Sequence, residues 1–532
     1  RYIDNLLHLS SYTGKRILGL GLGSYDDYDI GGSRISLNIT QACTDTIVSK
    51  IGKNNPKVTV LTDNGNYSQQ QRAKKLSQFI NGQFQKLGIY RLASKTLKVA
   101  SIFGDGLVKI WQENSQIMAE KALPHEIIVD SREAIDGNPR TLYQVKMVSK
   151  QILKKIYPEK ENQIEEACRA GAFRSLEYYD PFYRSDMVAV AEAWRLPSRK
   201  NSGDGRHVIS ISTAYLLDED WKYDYFPFPK ISFSERVMGF WSAGIPEILM
   251  PIQYELDRVM KRISDSIWLN SVPRVLYEYS SKIVKEHFNN EVGSLIGYRG
   301  AIPQFVTPQS VGADVFGHID RLYAKGFEIL GISQMSVGSS KPKELSSGKA
   351  IRESQDVESD RFAELKQAYD TFHLDIANQI IDRAKEIYEY DKSFSVITQD
   401  NEGTEIIKWS DVDMDRDAYI MQVFPTNLLS SHPSGRLADV LDLINGGLMS
   451  KEDALSALDY PDIKSIMTSS IELAQRNDIL ATISKMIDTG KFIPPEVNQN
   501  LVLGVKFCQA YFWGRKIGAG LFLKNSTCPL FL

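Results

Sequence analysis

The stretch from Gly244 to about Asn270 limits what this 532-residue chain can fold into more than any other part of it. Ile245, Ile248, Leu249, Ile252, Leu256, Val259, Met260, Ile263 and Ile267 recur at intervals of three and four residues, which places them on one helix face. Pro251 suits the first helical position, where its missing N–H costs nothing. The regular helix is then expected over 251–270, about 30 Å long at 1.5 Å per residue. Asp257, Arg258, Lys261, Arg262 and Asp265 put both signs of charge on its other faces. A narrow apolar stripe with charged flanks needs a second helix to cover it. That helix comes either from the same chain or from a neighbouring copy, and in the second case head-to-tail contacts can close a ring.

A second amphipathic helix is expected over Ala313–Leu330 and a third over Ala350–Tyr390, whose apolar stripe has one charged member, Arg383. Between the first two lies a segment marked by Gly and Pro that opens with the strand-like RVLYEY (Arg274–Tyr279). Between the second and third lies the polar loop Ser336–Lys349. Upstream, a short helix (Tyr2–Leu9) sits in a Gly/Tyr/Asp-rich extended arm reaching to Leu37. Helices follow over Asn38–Ile51, capped by Asn38 or Thr40, and over Ser68 to about Ile102, ending at Gly104-Asp105-Gly106. LVKIW (Leu107–Trp111) reads as a strand. From Leu123 to about Phe233 the runs EIIVD, TLYQVKMV, MVAVAEAW and HVISIST make a β-rich insert with one helical piece near Ser149–Tyr157 and a hairpin tip at Arg199–Arg206. Beyond Asp400, KWSDVD and AYIMQVFP are expected to pair, and Ser434 to about Thr489 to be helical.

Charge and motifs exclude several functions. A net charge of −3 rules out a protein that grips phosphates over a broad basic surface. The four cysteines, Cys43, Cys168, Cys508 and Cys528, form no CxxC and suggest a reducing compartment. No apolar run is long enough for a membrane span, and the absence of an initial Met suggests that the numbering starts inside a longer product. Gly338–Lys349 lacks the glycine and the Ser/Thr of a phosphate loop, since Lys343 and Ala350 stand there. The SxxK matches at Ser340–Lys343 and Ser346–Lys349 have no KTG partner. Gly19, Gly21 and Gly23 lack the strand–turn–helix setting of a dinucleotide site. Asp411, Asp413, Asp415 and Asp417 alternate like a calcium loop, but Arg416 and Gln422 replace its required Gly and Glu. The histidines are scattered and offer no metal-ligand set. No nucleophile–base constellation emerges, so no catalytic residue, metal or cofactor is expected.

The order helix, small β insert, helix, polar loop, long helix resembles that of the portal proteins, the head-to-tail connectors of tailed double-stranded DNA bacteriophages. Several segments carry the resemblance in collinear order: ALPHEIIVDSREAIDGNPRTLYQ, GFWSAGIPEILMPIQYELDRVMKRISDSI, PRVLYE, SSGKAIRESQDVESDRF, GLMSKEDALSALDYPDI and GKFIPPE. It covers roughly Asn38 to Tyr511. The arm before Asn38 and the tail Trp513–Leu532 match nothing in the family.

The resemblance implies an α+β, portal-like fold assembling as a ring. Its parts would be an N-terminal arm (1–37), a wing that is helical and then β-rich (38–240), a first stem helix (241–270) and a clip (271–312). A second stem helix (313–333), a tunnel loop (334–349), a long helix returning to the wing (350–430) and a helical crown with a C-terminal tail (431–532) complete it. Ile252, Leu256, Val259 and Ile263 would pack the stem. Tyr277, Tyr279, Tyr298 and Arg299 would anchor partners at the clip, since aromatics and Arg dominate interface hot spots. Ser339, Ser340, Lys341, Lys343 and Lys349 would line the DNA channel. The implied partners are eleven further copies in a dodecamer, non-specifically held double-stranded DNA, the terminase large subunit, the major capsid and scaffolding proteins, and head–tail adaptor or tail proteins. No membrane partner is implied. The place would be the virion's portal vertex, after assembly in the host cytoplasm. Two other readings are a hydrolase using the Ser/Lys-rich loop and a structural virion protein that is not the conduit.

Overall fold

The computed structural model describes residues 2–14, 37–53, 55–62, 67–170, 186–199, 202–271, 274–276, 278, 299, 304–306, 312–332, 362–400, 403–412, 419–424 and scattered positions between 479 and 509. The chain divides into two compact units, Arg1–Leu61 with Gln71–Phe424, and Thr62–Gln70 with Pro425–Leu532. In the second unit the described positions Ile479, Thr482 and Met486 are helical, as are several between Leu501 and Gln509; Ile479 is buried.

The larger unit is an α+β body in which every strand pairing among the described residues is antiparallel. Helix α1 (Tyr2–Thr13) runs four residues past the expected Leu9, and residues 15–36 of the expected arm lie outside the described ones. The helix lies against α2 (Ile39–Gly52), buries Asn5 and His8, and is tied down where the Tyr12 hydroxyl donates to Asp45 and Asn38 donates to the Tyr12 carbonyl. Asn38 caps α2, its Oδ1 accepting from the Gln41 N–H at 2.8 Å. The helix expected over Ser68–Ile102 is two helices, α3 (Tyr67–Leu87) and α4 (Ile89–Phe103). They break at Gly88, whose φ of +63° has no steric cost without a Cβ. The buried stripe changes phase at this break: Leu76, Ile80 and Phe84 face the core before it, Ile89, Ala93 and Leu97 after it, and the step from Phe84 to Ile89 is five residues instead of three or four.

Two sheets follow. Strands β2 (Asp105–Glu113), β3 (Gln116–Ala122) and β9 (Lys230–Ser232) form one, in the order β3-β2-β9. The second runs β4-β5-β6-β7-β8, with β4 (Ile127–Ile128), β5 (Thr141–Ser149), β6 (Met187–Arg195), β7 (Arg206–Ser210) and β8 (Tyr215–Asp220). Helices α5 (Lys150–Ile156) and α6 (Glu161–Ala170) cover one end of its inner face, where Leu153, Ile164 and Ala167 meet Val188 and Val190. At the other end of that face Leu142 and Trp194 form a cluster with Leu107 and Ala122 of the three-stranded sheet.

Helix α7 spans Ile245–Ser271 and α8 spans Ala313–Leu330. Pro251 lies inside α7 rather than at its start. The carbonyl one turn back, on Glu247, therefore gains no intrahelical N–H from position 251, and Pro251 itself is exposed. Helix α9 (Ala363–Tyr390) runs through the middle of the main core, burying Tyr369, Phe372, Ile376, Ile380 and Ile387; the expected residues before it, 350–361, lie outside the described ones. KWSDVD and AYIMQVFP do not pair. Lys408 ends β13 (Gly403–Lys408), whose partner is β12 (Ser395–Asp400), and Trp409–Asp411 form a 3-10 turn. Strand β14 (Ile420–Phe424) instead pairs with β1 (Lys57–Leu61), far away in sequence. Local pattern identified these strands but carried no record of a partner some 360 residues distant, the gap between Leu61 and Ile420.

Candidate functional site

Helices α7 and α8 form an antiparallel pair. Ile263 and Val315 line one shallow groove, together with Glu255, Val259, Arg262, Asp314 and His318. Eleven residues along each helix, in opposite directions, a Cβ on Gly326 would lie 3.8 Å from Ile252 and 2.5 Å from Ile39. A larger residue there would push the end of the Ile39 side chain aside, while its distance to Ile252 would be ordinary contact. The pair leads into the segment 272–311 at one end, where β10 (Arg274–Leu276) and β11 (Gln304–Val306) pair in the register Arg274↔Val306 to Leu276↔Gln304. The insert between these helices therefore begins and ends at the far tip of the pair.

The expected stem residues are consumed inside the chain. Leu256, Val259 and Ile263 are buried in the main core, and Ile252 is half-buried against it. The stripe is therefore not free to cover a neighbouring copy, because α8, α2 and α4 supply the apolar cover first. What α7 leaves exposed is a second face with the same three-and-four spacing: Tyr254, Arg258, Lys261, Asp265 and Trp268. Tyr254 and Trp268 are 69% and 70% exposed, about 21 Å apart along the helix. Arg258 bonds Glu255 within the helix, whereas Lys261 and Arg262 have no ion pair among the described residues. The charges of this face were legible in the sequence as the flanks of the apolar stripe, whereas Tyr254 and Trp268, two heptads apart, were not singled out.

Arg299 is exposed. Tyr277, Tyr279 and Tyr298 lie outside the described residues, as do the channel-loop positions Ser339, Ser340, Lys341, Lys343 and Lys349. So do Asp413, Asp415 and Asp417 of the calcium-like run. Arg383, the charged member of the α9 stripe, is buried. Its guanidinium lies 5.1 Å from the Trp221 ring centre and 4.4 Å from that of Tyr223, and it bonds Glu386 at 2.5 Å.

A partly buried ionic cluster that the sequence did not announce joins the two sheets. His207 on β7 makes hydrogen bonds through both ring nitrogens, Nε2 with Glu192 at 2.9 Å and Nδ1 with Glu219 at 2.7 Å. Glu192 also bonds Lys109 of β2, and the imidazole stacks on Trp194 at 5.2 Å with planes 9° apart. Two carboxylates at two ring nitrogens require both nitrogens to donate, so this geometry selects the imidazolium. Burial pulls the His207 pKa down, but the hydrogen bonds and charges of Glu192 and Glu219 outweigh it and raise the value above 6.5. Burial likewise pushes the Glu192 carboxyl up, and His207 and Lys109 together bring it below its ordinary value.

A group raised on folding stabilises fully below its unfolded pKa, near 6.5, and that contribution disappears as pH climbs through the folded value. Thermal unfolding is therefore expected to show a falling midpoint from neutral to alkaline pH. His207→Gln should lower the midpoint at pH 6 and flatten the alkaline slope. An unchanged slope in the variant means that His207 is not the group responsible.

Nothing in the described residues assembles a catalytic centre. No group of His, Cys, Asp or Glu there could hold a metal ion. Burial pushes the Cys43 thiol up to about 12, so it is no nucleophile at neutral pH. Among the described residues no helix is long and apolar enough to cross a membrane. No protein-family model matches the chain, and no curated protein matches it either.

Proposed function

We propose that this chain is the subunit of a phage portal ring, the conduit for double-stranded DNA at one capsid vertex and not an enzyme. The observation that carries this reading is the α7–α8 pair. It is antiparallel, it bears a small β-paired insert at its tip, and α7 keeps a regularly spaced outer face of aromatics and charges after its inner stripe has been covered. Such a face suits lateral contact with a copy of the same chain rather than solvent, and lateral contacts between unlike faces close into rings. In the full reading the fold is portal-like and the ring has about twelve copies. The segment around Arg299 meets the terminase large subunit and later adaptor or tail proteins, while the outer rim meets capsid and scaffolding proteins.

The channel part rests on the collinear resemblance and on composition. Lys341 and Lys343 in a Ser/Gly/Pro loop, repeated around a bore, would hold phosphates without reading sequence and with a reach of about 8 Å at physiological salt. Negative-stain imaging with native mass spectrometry of the purified chain tests the proposal. A closed ring with a central hole is expected. Monomers or dimers alone at micromolar concentration, across several salt conditions, overturn it.

A further inference from the structure

Between Asp45 and Asp105 the sequence holds ten lysines and arginines and a single acid, Asp63. That is a local charge of +9 inside a chain whose total is −3. The overall balance conceals this segregation, and the fold gathers half of those cations on one surface. Lys53 follows α2, Lys57 opens β1, Lys86 lies in the last turn of α3, and Arg91 and Lys95 lie on α4; all five are exposed. Three approaches hold their chain neighbours together. A Cβ on Gly52, beside Lys53, would lie 3.2 Å from the Oγ of Ser94, beside Lys95. The Tyr90 hydroxyl, beside Arg91, donates at 3.3 Å to the carbonyl of Pro56, beside Lys57. A Cβ on Gly88, two residues after Lys86, would lie 4.0 Å from the Arg91 Nη2. Arg91 and Lys95 themselves are about one turn apart, roughly 6 Å along the helix.

None of the five has an ion pair among the described residues. Asp45, the one acid of α2, is bridged to Lys98 at 3.0 Å. Asp370 of α9, next to the Tyr369 that packs with Tyr90 against His373, has the charge of Lys366 one turn before it. The surface also lacks apolar anchors: among the described residues of α2, α3 and α4, no large apolar side chain is exposed. A protein partner needs an apolar or aromatic centre to its interface, and a single nucleic-acid strand needs aromatic platforms for its bases. A duplex needs neither, because its phosphates carry one charge per about 1.7 Å of axis and are held by cations alone.

We infer that this surface binds the phosphate backbone of double-stranded DNA, through cations other than Lys341 and Lys343 of the channel loop. Contacts of this kind hold the duplex without reading its sequence. The surface is local rather than broad, so one chain binds weakly and in a salt-dependent way. The inference goes beyond the portal reading because it needs no ring. In a ring the surface is repeated, and avidity rises where several copies reach one duplex.

Fluorescence anisotropy of a labelled DNA duplex with the full chain, across a salt series, tests it. Five phosphate contacts predict a slope of about −4.5 for log affinity against log salt. Arg91→Gln with Lys95→Gln, both exposed changes that keep good helix formers, should lower affinity about tenfold or more at about 50 mM salt and make the slope shallower by about 2. The melting midpoint should stay at the parent's value. Lys341→Gln with Lys343→Gln should leave the difference between parent and Arg91/Lys95 variant in place. An unchanged slope in that variant, or no binding by the parent at low salt, overturns the inference. A loss of binding confined to the channel-loop variant also refutes this surface and leaves the portal reading standing. Polyglutamate of similar charge that binds as tightly as the duplex assigns the surface to an acidic protein and rejects DNA as its partner. Monomers in native mass spectrometry, with the slope difference intact, uphold this surface and overturn the ring.

Discussion

Asp105→Ala is expected to destabilise the protein by about 3–5 kcal/mol, the cost of removing one partner from a buried ionic arrangement. The side chain is fully buried at the start of β2. One carboxylate oxygen accepts from the Ser242 N–H at 2.7 Å and the other from the Ser232 hydroxyl at 3.0 Å, with the Lys230 ammonium 3.5 Å away. Alanine leaves the buried Ser242 N–H without its acceptor, which water can replace only if the approach to α7 moves, and leaves the quarter-exposed Lys230 ammonium with the Phe240 carbonyl at 2.9 Å. The backbone around Asp105 has no slack for such a movement. Gly104 has a φ of +96°, and a Cβ there would lie 2.0 Å from the Ser242 carbonyl oxygen. A Cβ on Gly106 would lie 2.4 Å from the Thr96 oxygen, and one on Gly244 2.5 Å from the Ile102 oxygen. Chemical denaturation of Asp105→Ala beside the unsubstituted chain measures the loss. A difference below about 1 kcal/mol, the size of an ordinary surface hydrogen bond, refutes the anchoring role.

Val259→Pro is expected to cost about 3 kcal/mol or more and to prevent assembly. Val259 is 6% exposed near the middle of α7. Proline there removes an N–H from the helical ladder and sets its ring against the carbonyl one turn back, while Leu256 and Ile263 on either side must stay seated in the core. The existing Pro251 is tolerated because it is exposed and lies in the second turn, where a misdirected carbonyl can reach solvent. Lys261→Gln, an exposed change on the same helix, is the control for stability. Circular dichroism melts and native mass spectrometry decide the outcome. A proline variant that melts and assembles like the parent would mean that α7 is not a continuous helix.

How much of this was legible in the sequence depended on whether a local period carried the information. The limits of α8 were readable to the residue, because Gly312 and Gly331 bracket an unbroken amphipathic run. The body of α7 was readable for the same reason, but not the first turn, since two prolines so close together looked like interruptions. The break at Gly88 was hidden because Leu87 and Leu92, both only half-buried, let one stripe be drawn across it, although the face α4 buries is offset from that of α3. Strand identity was visible in β5, β6 and β7, whereas the β1–β14 pairing was not, because nothing local records a remote partner. The His207 cluster was illegible for a sharper reason. Its four charged members come from β2, β6, β7 and β8, and each taken singly looks like an ordinary polar residue on a strand. The outer face of α7 had a period in its charges, but its exposed aromatics, Tyr254 and Trp268, were not recognised as members of it.

The crossing at Gly104, Asp105 and Gly244 also behaves as a mechanical joint. Helix α7 starts there and runs 27 residues, about 40 Å, to its tip. A lever of that length amplifies small errors at its pivot, so a tilt of about 5° displaces the tip by roughly 3.5 Å, more than the rise of two helical residues. Three backbone approaches too tight for a methyl group, locked by one carboxylate, keep that angle from drifting. Substitutions that spare stability but loosen this pivot would misalign the tip at a distance, and their effect would be read far from the site of the change.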